Sequence, residues 1–199
     1  MTNRIILASG SKTRQELLQN AGVEFDITVA KIDEDAIRQS LEADLATPRD
    51  IADALAEFKA KKVAMKHSDS LVIGCDQTLD FDGKVLSKPK SKDQAQAQLQ
   101  AMRGKQHTLY SAAVIYENGQ PIWRHIGKSQ LEMHEFSDTY LKSYVNRNWE
   151  SIRHSVGAYK LEEEGARLFS RISGDYFVVL GLPLLEMLTY LSKRGLLDS

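Results

Sequence analysis

The chain of 199 residues carries a single cysteine, Cys75, which excludes an internal disulfide framework and a cysteine-based zinc site and agrees with a reducing cytoplasm. Because Cys75 lies inside an apolar run, it reads as a small buried hydrophobe rather than a nucleophile. Neither sign of charge prevails: 26 Lys and Arg stand against 27 Asp and Glu, so a formal net charge of -1 gives no global field for nucleic acid or an anionic membrane. No apolar run approaches bilayer length, and Met1-Thr2-Asn3-Arg4 leads straight into strand-like residues without the apolar core of a signal peptide. A soluble, cytoplasmic protein is expected. Internal repeats, low-complexity tracts and linkers are also missing, so residues 1–199 should fold as one unit, either one large domain or two small lobes around a cleft.

What is present gathers around residues 71–89. Leu71, Val72 and Ile73 read as a strand buried on both faces, with Asp76 delivered as the run ends. Ligands of open α/β sheets collect beyond the carboxyl ends of strands, so an acid there would look into a cleft. Asp82-Gly83 reads as a tight turn and residues 84–86 as the returning strand, which brings Lys88 back towards Asp76. An acid beside a cation suits phosphate and a divalent metal. The same residues also fit a plain hairpin with a solvated lysine, and alone they leave both readings open.

The pattern predicts a strand over 5–8, a turn Ser9-Gly10-Ser11 and a helix over 12–20, with Leu17 and Leu18 inward and Gly22 as its stop. Such a unit is an anion cradle of backbone N–H groups, serine hydroxyls and the helix dipole, on which Arg14 could close a fork. Gly10-Ser11-Lys12-Thr13 lacks the first glycine and the Gly-Lys pair of a Walker A motif, which is rejected. Residues 23–29 alternate like a strand, and Asp33-Glu34-Asp35 reads as a helix start, with Glu34 of interest only if it faces the cleft of Asp76. Thr47-Pro48 opens a helix to about His67 with Ile51, Leu55, Phe58 and Val63 inward, and Lys59, Lys61, Lys62 and Lys66 form a basic cluster. Further on come a helix from Ser91 to near Gly104, a long hairpin about Glu117-Asn118-Gly119, a helix from Ser137 and a glycine-punctuated loop over 155–165. Strands over 166–172 and up to Leu180 and a last helix after Pro183 complete the expectation, with Trp123 and Trp149 as packing residues.

Three stretches, residues 6–18, residues 72–77 through Lys88-Pro89, and Gly157-Ala158-Tyr159 through Gly181-Leu182-Pro183, together resemble the Maf family of nucleoside triphosphate pyrophosphatases, over about residues 4–191. The resemblance implies the Maf/inosine-triphosphatase-like α/β fold, a mixed twisted sheet with helices and two lobes around a nucleotide cleft, and a homodimer. It implies metal-assisted hydrolysis of a nucleoside triphosphate to monophosphate and pyrophosphate, with Mg or Mn. Asp76 would be the general base or a metal ligand, joined at the metal by Glu34, and Ser11, Arg14, Glu34, Lys59 and Lys88 would be polar cleft residues. Thr13, Gln77 and Glu162 match the family's specificity positions. Gln77 with Glu162 resembles a branch associated with 7-methyl-GTP, yet that branch has tryptophan at the position of Thr13, the dTTP and UTP branch has arginine there, and Lys12 replaces the usual proline. The family's effect on septum formation adds an alternative, binding of a division partner, and the lysines over 59–66 add a second, nucleic acid.

Overall fold

A computed structural model of the chain describes residues 4–197; Met1, Thr2 and Asn3, read above as leading into the first strand, lie outside that range. Among the described residues one mixed sheet contains β1 (Ile5–Leu7), β2 (Asp26–Ile27), β3 (Leu71–Phe81), β4 (Lys84–Leu86), β5 (Gln106–Glu117), β6 (Gln120–Met133) and β7 (Phe169–Ser173). Their order is β2-β1-β3-β5-β6-β7, with β4 paired to β3 beyond the reach of β1. β1 runs parallel to β2 and β3, and every other pairing is antiparallel. The helices are α1 (Lys12–Asn20), α2 (Glu34–Ala43), α3 (Pro48–Ala64), α4 (Lys92–Met102), α5 (Asp138–Ile152), α6 (Tyr176–Val179) and α7 (Leu184–Lys193).

Local chemistry explains where most helices begin. Ser11, Asp33, Thr47, Ser91, Ser137 and Asp175 each accept a hydrogen bond from the backbone N–H three residues on, satisfying a donor that the helix itself cannot. Each such cap contributes on the order of 1 kcal/mol.

The period of two along the central strands decides which side chains meet which helix. Leu71, Ile73 and Cys75 pack on one face with Leu17, Leu18, Leu184 and Met187. Val72 packs on the other with Ala52, Ala56, Ala60 and Ala64 of α3. Gly74 and Asp76 share the parity of Val72 and therefore face α3. At Gly74 a Cβ would sit 2.2 Å from the Ala56 carbonyl oxygen, so only glycine admits this close approach of helix to strand. A third cluster, with Leu79, Leu109, Leu131, Leu99 and Tyr144, fills the far end of β3, β5 and β6 against α4 and α5.

Several expectations need correction. Asp76 does not end its strand: β3 continues to Phe81 because β5 pairs with it without interruption from Val72 to Asp80. What ends before Asp76 is the pairing with β1, at Leu7 and Ile73. The strand over 23–29 shrinks to Asp26–Ile27, since β1 offers it only two partners. Helix α3 stops at Ala64, and Phe58 is 44% exposed because the inward stripe runs through 51, 52, 55, 56, 59, 60, 63 and 64, giving the buried place to Lys59. Residues 164–168 form a 3-10 turn before β7, and the strand expected up to Leu180 is α6, capped by Asp175.

Candidate functional site

A cleft of about 1480 Å³ lies beside the strand–turn–helix unit of β1 and α1. Its lining includes Ser11, Thr13, Arg14, Glu34, Lys59, Asp76, Gln77, Lys88 and Glu162, so the nine candidate site residues border one hollow. Cys75 points to the opposite face, where burial pushes its thiol up to about 11 and keeps it protonated.

The floor is built by the Gly74 approach. Because α3 lies so close to β3, the Lys59 side chain emerges against Asp76, and its Nζ donates to Asp76 Oδ1 at 2.6 Å. The same ammonium lies 2.9 Å from Glu34 Oε2 at the start of α2. Lys59 and Asp76 are buried to within 9% and 10% of side-chain exposure while Glu34 is half exposed, so the trio runs from the floor of the cleft to its rim. Oδ2 of Asp76 has no hydrogen-bond partner among the described residues. With Lys59 turned inward, the basic cluster over 59–66 is reduced to Lys61, Lys62 and Lys66 on the surface.

Arg14 is committed differently from the phosphate fork expected of it. Its Nε donates to the Gly181 carbonyl at 2.8 Å, and its Nη1 donates to the Cys75 carbonyl at 3.0 Å and to Ser9 Oγ at 3.3 Å. The Cys75 carbonyl belongs to the part of β3 that β1 no longer covers, so the guanidinium closes an open strand edge and joins three segments. Only Nη2 remains without a protein partner among the described residues. Beside it, Ser9 Oγ accepts from the Ser11 N–H and Ser11 Oγ caps α1, which leaves the first-turn N–H groups of Lys12 and Thr13 for an anion. Lys88 is exposed two residues beyond β4 and also lines the cleft.

Gln77 is only half free. Its amide nitrogen lies 3.0 Å from Ser111 Oγ and from the Val178 and Val179 carbonyls, and two of these groups can only accept, so the nitrogen faces them and Oε1 is left as an acceptor. Glu162 is exposed on the glycine-punctuated loop, and Thr13 is partly buried at the first turn of α1. The anchoring carbonyls of Gly181, Val178 and Val179 escape sequence reasoning, because a backbone acceptor carries no residue-type signature.

Two carboxylates converge on one ammonium, and both are hard oxygen donors of the kind that hold Mg²⁺ or Mn²⁺ together with substrate phosphates. Among the described residues no third such side chain joins them, so a cation held there would take its remaining ligands from water and substrate phosphates.

A family model described as Maf-like protein matches residues 4–194. A nucleoside triphosphate pyrophosphatase of Ruegeria sp. (strain TM1040) is 61% identical over 198 residues, with 100% of each chain covered. A 7-methyl-GTP pyrophosphatase of Rhizobium meliloti (strain 1021) is 45% identical, with 98% of each covered. Among solved structures, a HAM1 protein from Coxiella burnetii superposes with a TM-score of 0.52 at 16% identity, covering 96% of this chain and 99% of that one, a likeness of fold.

Proposed function

The chain belongs to the Maf-like family, and from that premise we propose that it is a nucleoside triphosphate pyrophosphatase, cleaving its substrate to the monophosphate and pyrophosphate. The observation that carries the reading is the Lys59 ammonium set between Asp76 and Glu34 in a cleft that also receives the start of α1. A triphosphate brings up to four negative charges that must be offset before water can approach phosphorus. Lys59, Lys88, Nη2 of Arg14 and the first-turn N–H groups of α1 supply that offset from three sides. Ser11, which caps the same turn, fixes the direction of those N–H groups.

Asp76 has two oxygens in different surroundings, and this separates their roles. Lys59 holds Oδ1 and thereby orients the carboxylate, while Oδ2 is available to take the proton of the attacking water. As the new P–O bond forms at the α-phosphorus, the bond to the bridging oxygen breaks and pyrophosphate leaves. In the alternative role, with Asp76 as a metal ligand in place of the base, a divalent cation, Mg²⁺ or Mn²⁺, would be held by Asp76 and Glu34 and would neutralise phosphate charge and favour the departing pyrophosphate.

The base edge would meet two acceptors, Gln77 Oε1 and the Glu162 carboxylate. That pairing favours bases that present N–H groups, guanine N1–H and N2–H₂ above all, over adenine. The name of the Rhizobium meliloti relative makes 7-methyl-GTP the second reading. Thr13 offers no ring to stack on a cationic base, a contact worth roughly 0.5–2 kcal/mol, so methylation is expected to add little here.

The test is a panel of canonical and modified nucleoside triphosphates with Mg²⁺ or Mn²⁺, scored separately for pyrophosphate and single phosphate. Pyrophosphate release with a guanine nucleotide among the better substrates is expected. Release of single phosphate, or turnover of no nucleotide, overturns the reading.

A further inference from the structure

The third core cluster contains a buried polar pair that the proposed chemistry does not use. His107 on β5 is 2% exposed, and its Nε2 lies 2.8 Å from the hydroxyl of Tyr159, which is 4% exposed and lines the cleft. Phe169 closes the group, with its ring edge-on to Tyr159 at 4.8 Å and its centroid 5.9 Å from the imidazole. Burial pushes the imidazole down to about 4 and the phenol well above its ordinary range, so both are neutral near pH 7. Nδ1 of His107 is buried without a protein partner among the described residues. Two such groups in an apolar cluster cost stability that leucine and phenylalanine would not, which calls for a reason other than packing.

The loop on which Tyr159 sits supplies that reason. Gly157 and Ala158 both have positive φ, 76° and 58°, and for alanine this conformation is strained and persists only where the surroundings impose it. Beyond Tyr159 the loop is tied to α5: Glu163 accepts from Ser151 at 2.8 Å, and Glu164 from Arg147 at 2.6 Å and Asn148 at 2.8 Å. Before these ties, the Tyr144 hydroxyl reaches the Ala158 carbonyl at a long 3.4 Å, and the His107 bond is the short link from the loop to the sheet. Between the two anchors stands Glu162, exposed to the cleft and without a hydrogen bond or ion pair among the described residues. A carboxylate with no partner of its own is placed only as well as the backbone on either side of it.

We infer that His107 and Tyr159 form a positioning pair, the sheet-side anchor that holds the 156–163 segment so that Glu162 meets the bound nucleotide. This deepens the nucleotide reading and rests on it. The bond between two neutral groups orients the ring, and through the ring it fixes the strained turn that leads to Glu162 at the cleft.

Two variants test it, Tyr159→Phe and the double variant Tyr159→Phe with His107→Leu, each followed by kcat and KM on the best nucleotide, by Tm, and by amide hydrogen exchange over 160–163. Tyr159→Phe should raise KM roughly 3- to 10-fold, as expected for the loss of one hydrogen bond, with kcat within about twofold and faster exchange in the segment. The double variant removes both polar partners and should recover Tm while KM and exchange stay raised. If KM and exchange are unchanged in both variants, or return to wild-type values along with Tm, the pair is structural and the inference falls. Should the wild-type protein release pyrophosphate from no nucleotide, the functional reading fails separately, and exchange alone decides the anchor: faster in both variants supports it, unchanged overturns it.

Discussion

Helix α3 carries an acid–cation–acid cluster on each of two opposite sides, and the two differ in almost everything except their charges. On the cleft side the helix supplies the cation, Lys59, between Asp76 and Glu34. About 200° round the helix it supplies the acids, Asp53 and Glu57, and Arg124 of β6 supplies the cation at 2.6 and 2.7 Å. In the outer cluster the guanidinium forks onto both carboxylates and the Tyr116 hydroxyl adds a further bond to Glu57, while Asp53 Oδ1 is buried without a partner among the described residues. Partial burial alone would raise the Glu57 carboxyl, yet the bonds from Arg124 and Tyr116 hold it below its ordinary value. The inner cluster has its cation and Asp76 more deeply buried, a point-charge ammonium in place of a planar fork, and its unengaged oxygen, Asp76 Oδ2, on a residue that lines the cleft. The outer cluster does not border the cleft, so its unpaired oxygen has no ligand to meet there. The inner cluster borders the cleft, where a ligand can reach what the ion pairs leave unused.

The comparison breaks most visibly at Asp76. Asp76→Asn keeps the shape and volume of the side chain but removes the base, and kcat should fall by roughly 10²- to 10⁴-fold with a circular dichroism spectrum like that of the wild type. Full turnover in this variant would place the two clusters on the same footing. Lys59→Met sharpens the contrast through stability, since it strands a buried Asp76 carboxylate close to Glu34. Loss of one partner of a buried pair costs about 3–5 kcal/mol, which a urea midpoint will show.

Acid separates these clusters from the third buried polar group. The folded value of His107, about 4, lies below the ordinary 6.5, so between these values the unfolded chain binds the extra proton. Stability is then complete above about pH 6.5 and declines as pH falls towards 4, by about 2 kcal/mol from pH 7 to pH 5. Urea midpoints across that range should show the slope, and His107→Leu should flatten it. The Glu57 carboxyl, held below 4.5, contributes above that value and loses its contribution only at lower pH, so a slope surviving in the His107 variant would contradict the assignment.

Much of this was legible in the chain itself, for identifiable reasons. Caps such as Thr47 with Pro48 and Ser91 with Gln94 are local, and local chemistry decides them. The cleft residues could be raised one at a time because anion cradles and strand-borne acids have residue-type signatures. Hidden from the sequence was whatever depends on distance between elements. Lys59 looks like one of four surface lysines until the alanine stripe and Gly74 bring α3 down onto β3. Arg14 reads as a phosphate ligand until the Cys75 and Gly181 carbonyls, which no residue name announces, take up most of its donors. Residues 176–179 look like a strand by composition and become a helix because the Asp175 side chain caps the Val178 N–H.

The smallest effect belongs to Arg124→Met, the counterpart of Lys59→Met. It too removes the cation between two acids, but here the Arg124 side chain is 43% exposed and Asp53 and Glu57 are 20% and 34% exposed, so water can take over much of what the guanidinium did. Ion pairs in that setting contribute about 0–1 kcal/mol, and the methionine stem still covers the strand beneath it. The urea midpoint should therefore move by less than about 1 kcal/mol, and kcat and KM should stay at wild-type values because no atom of this cluster borders the cleft. A loss approaching that of Lys59→Met would mean that burial does not distinguish the two sides of α3. A change in KM would mean that the outer cluster sets the position of the helix and, through it, of Lys59.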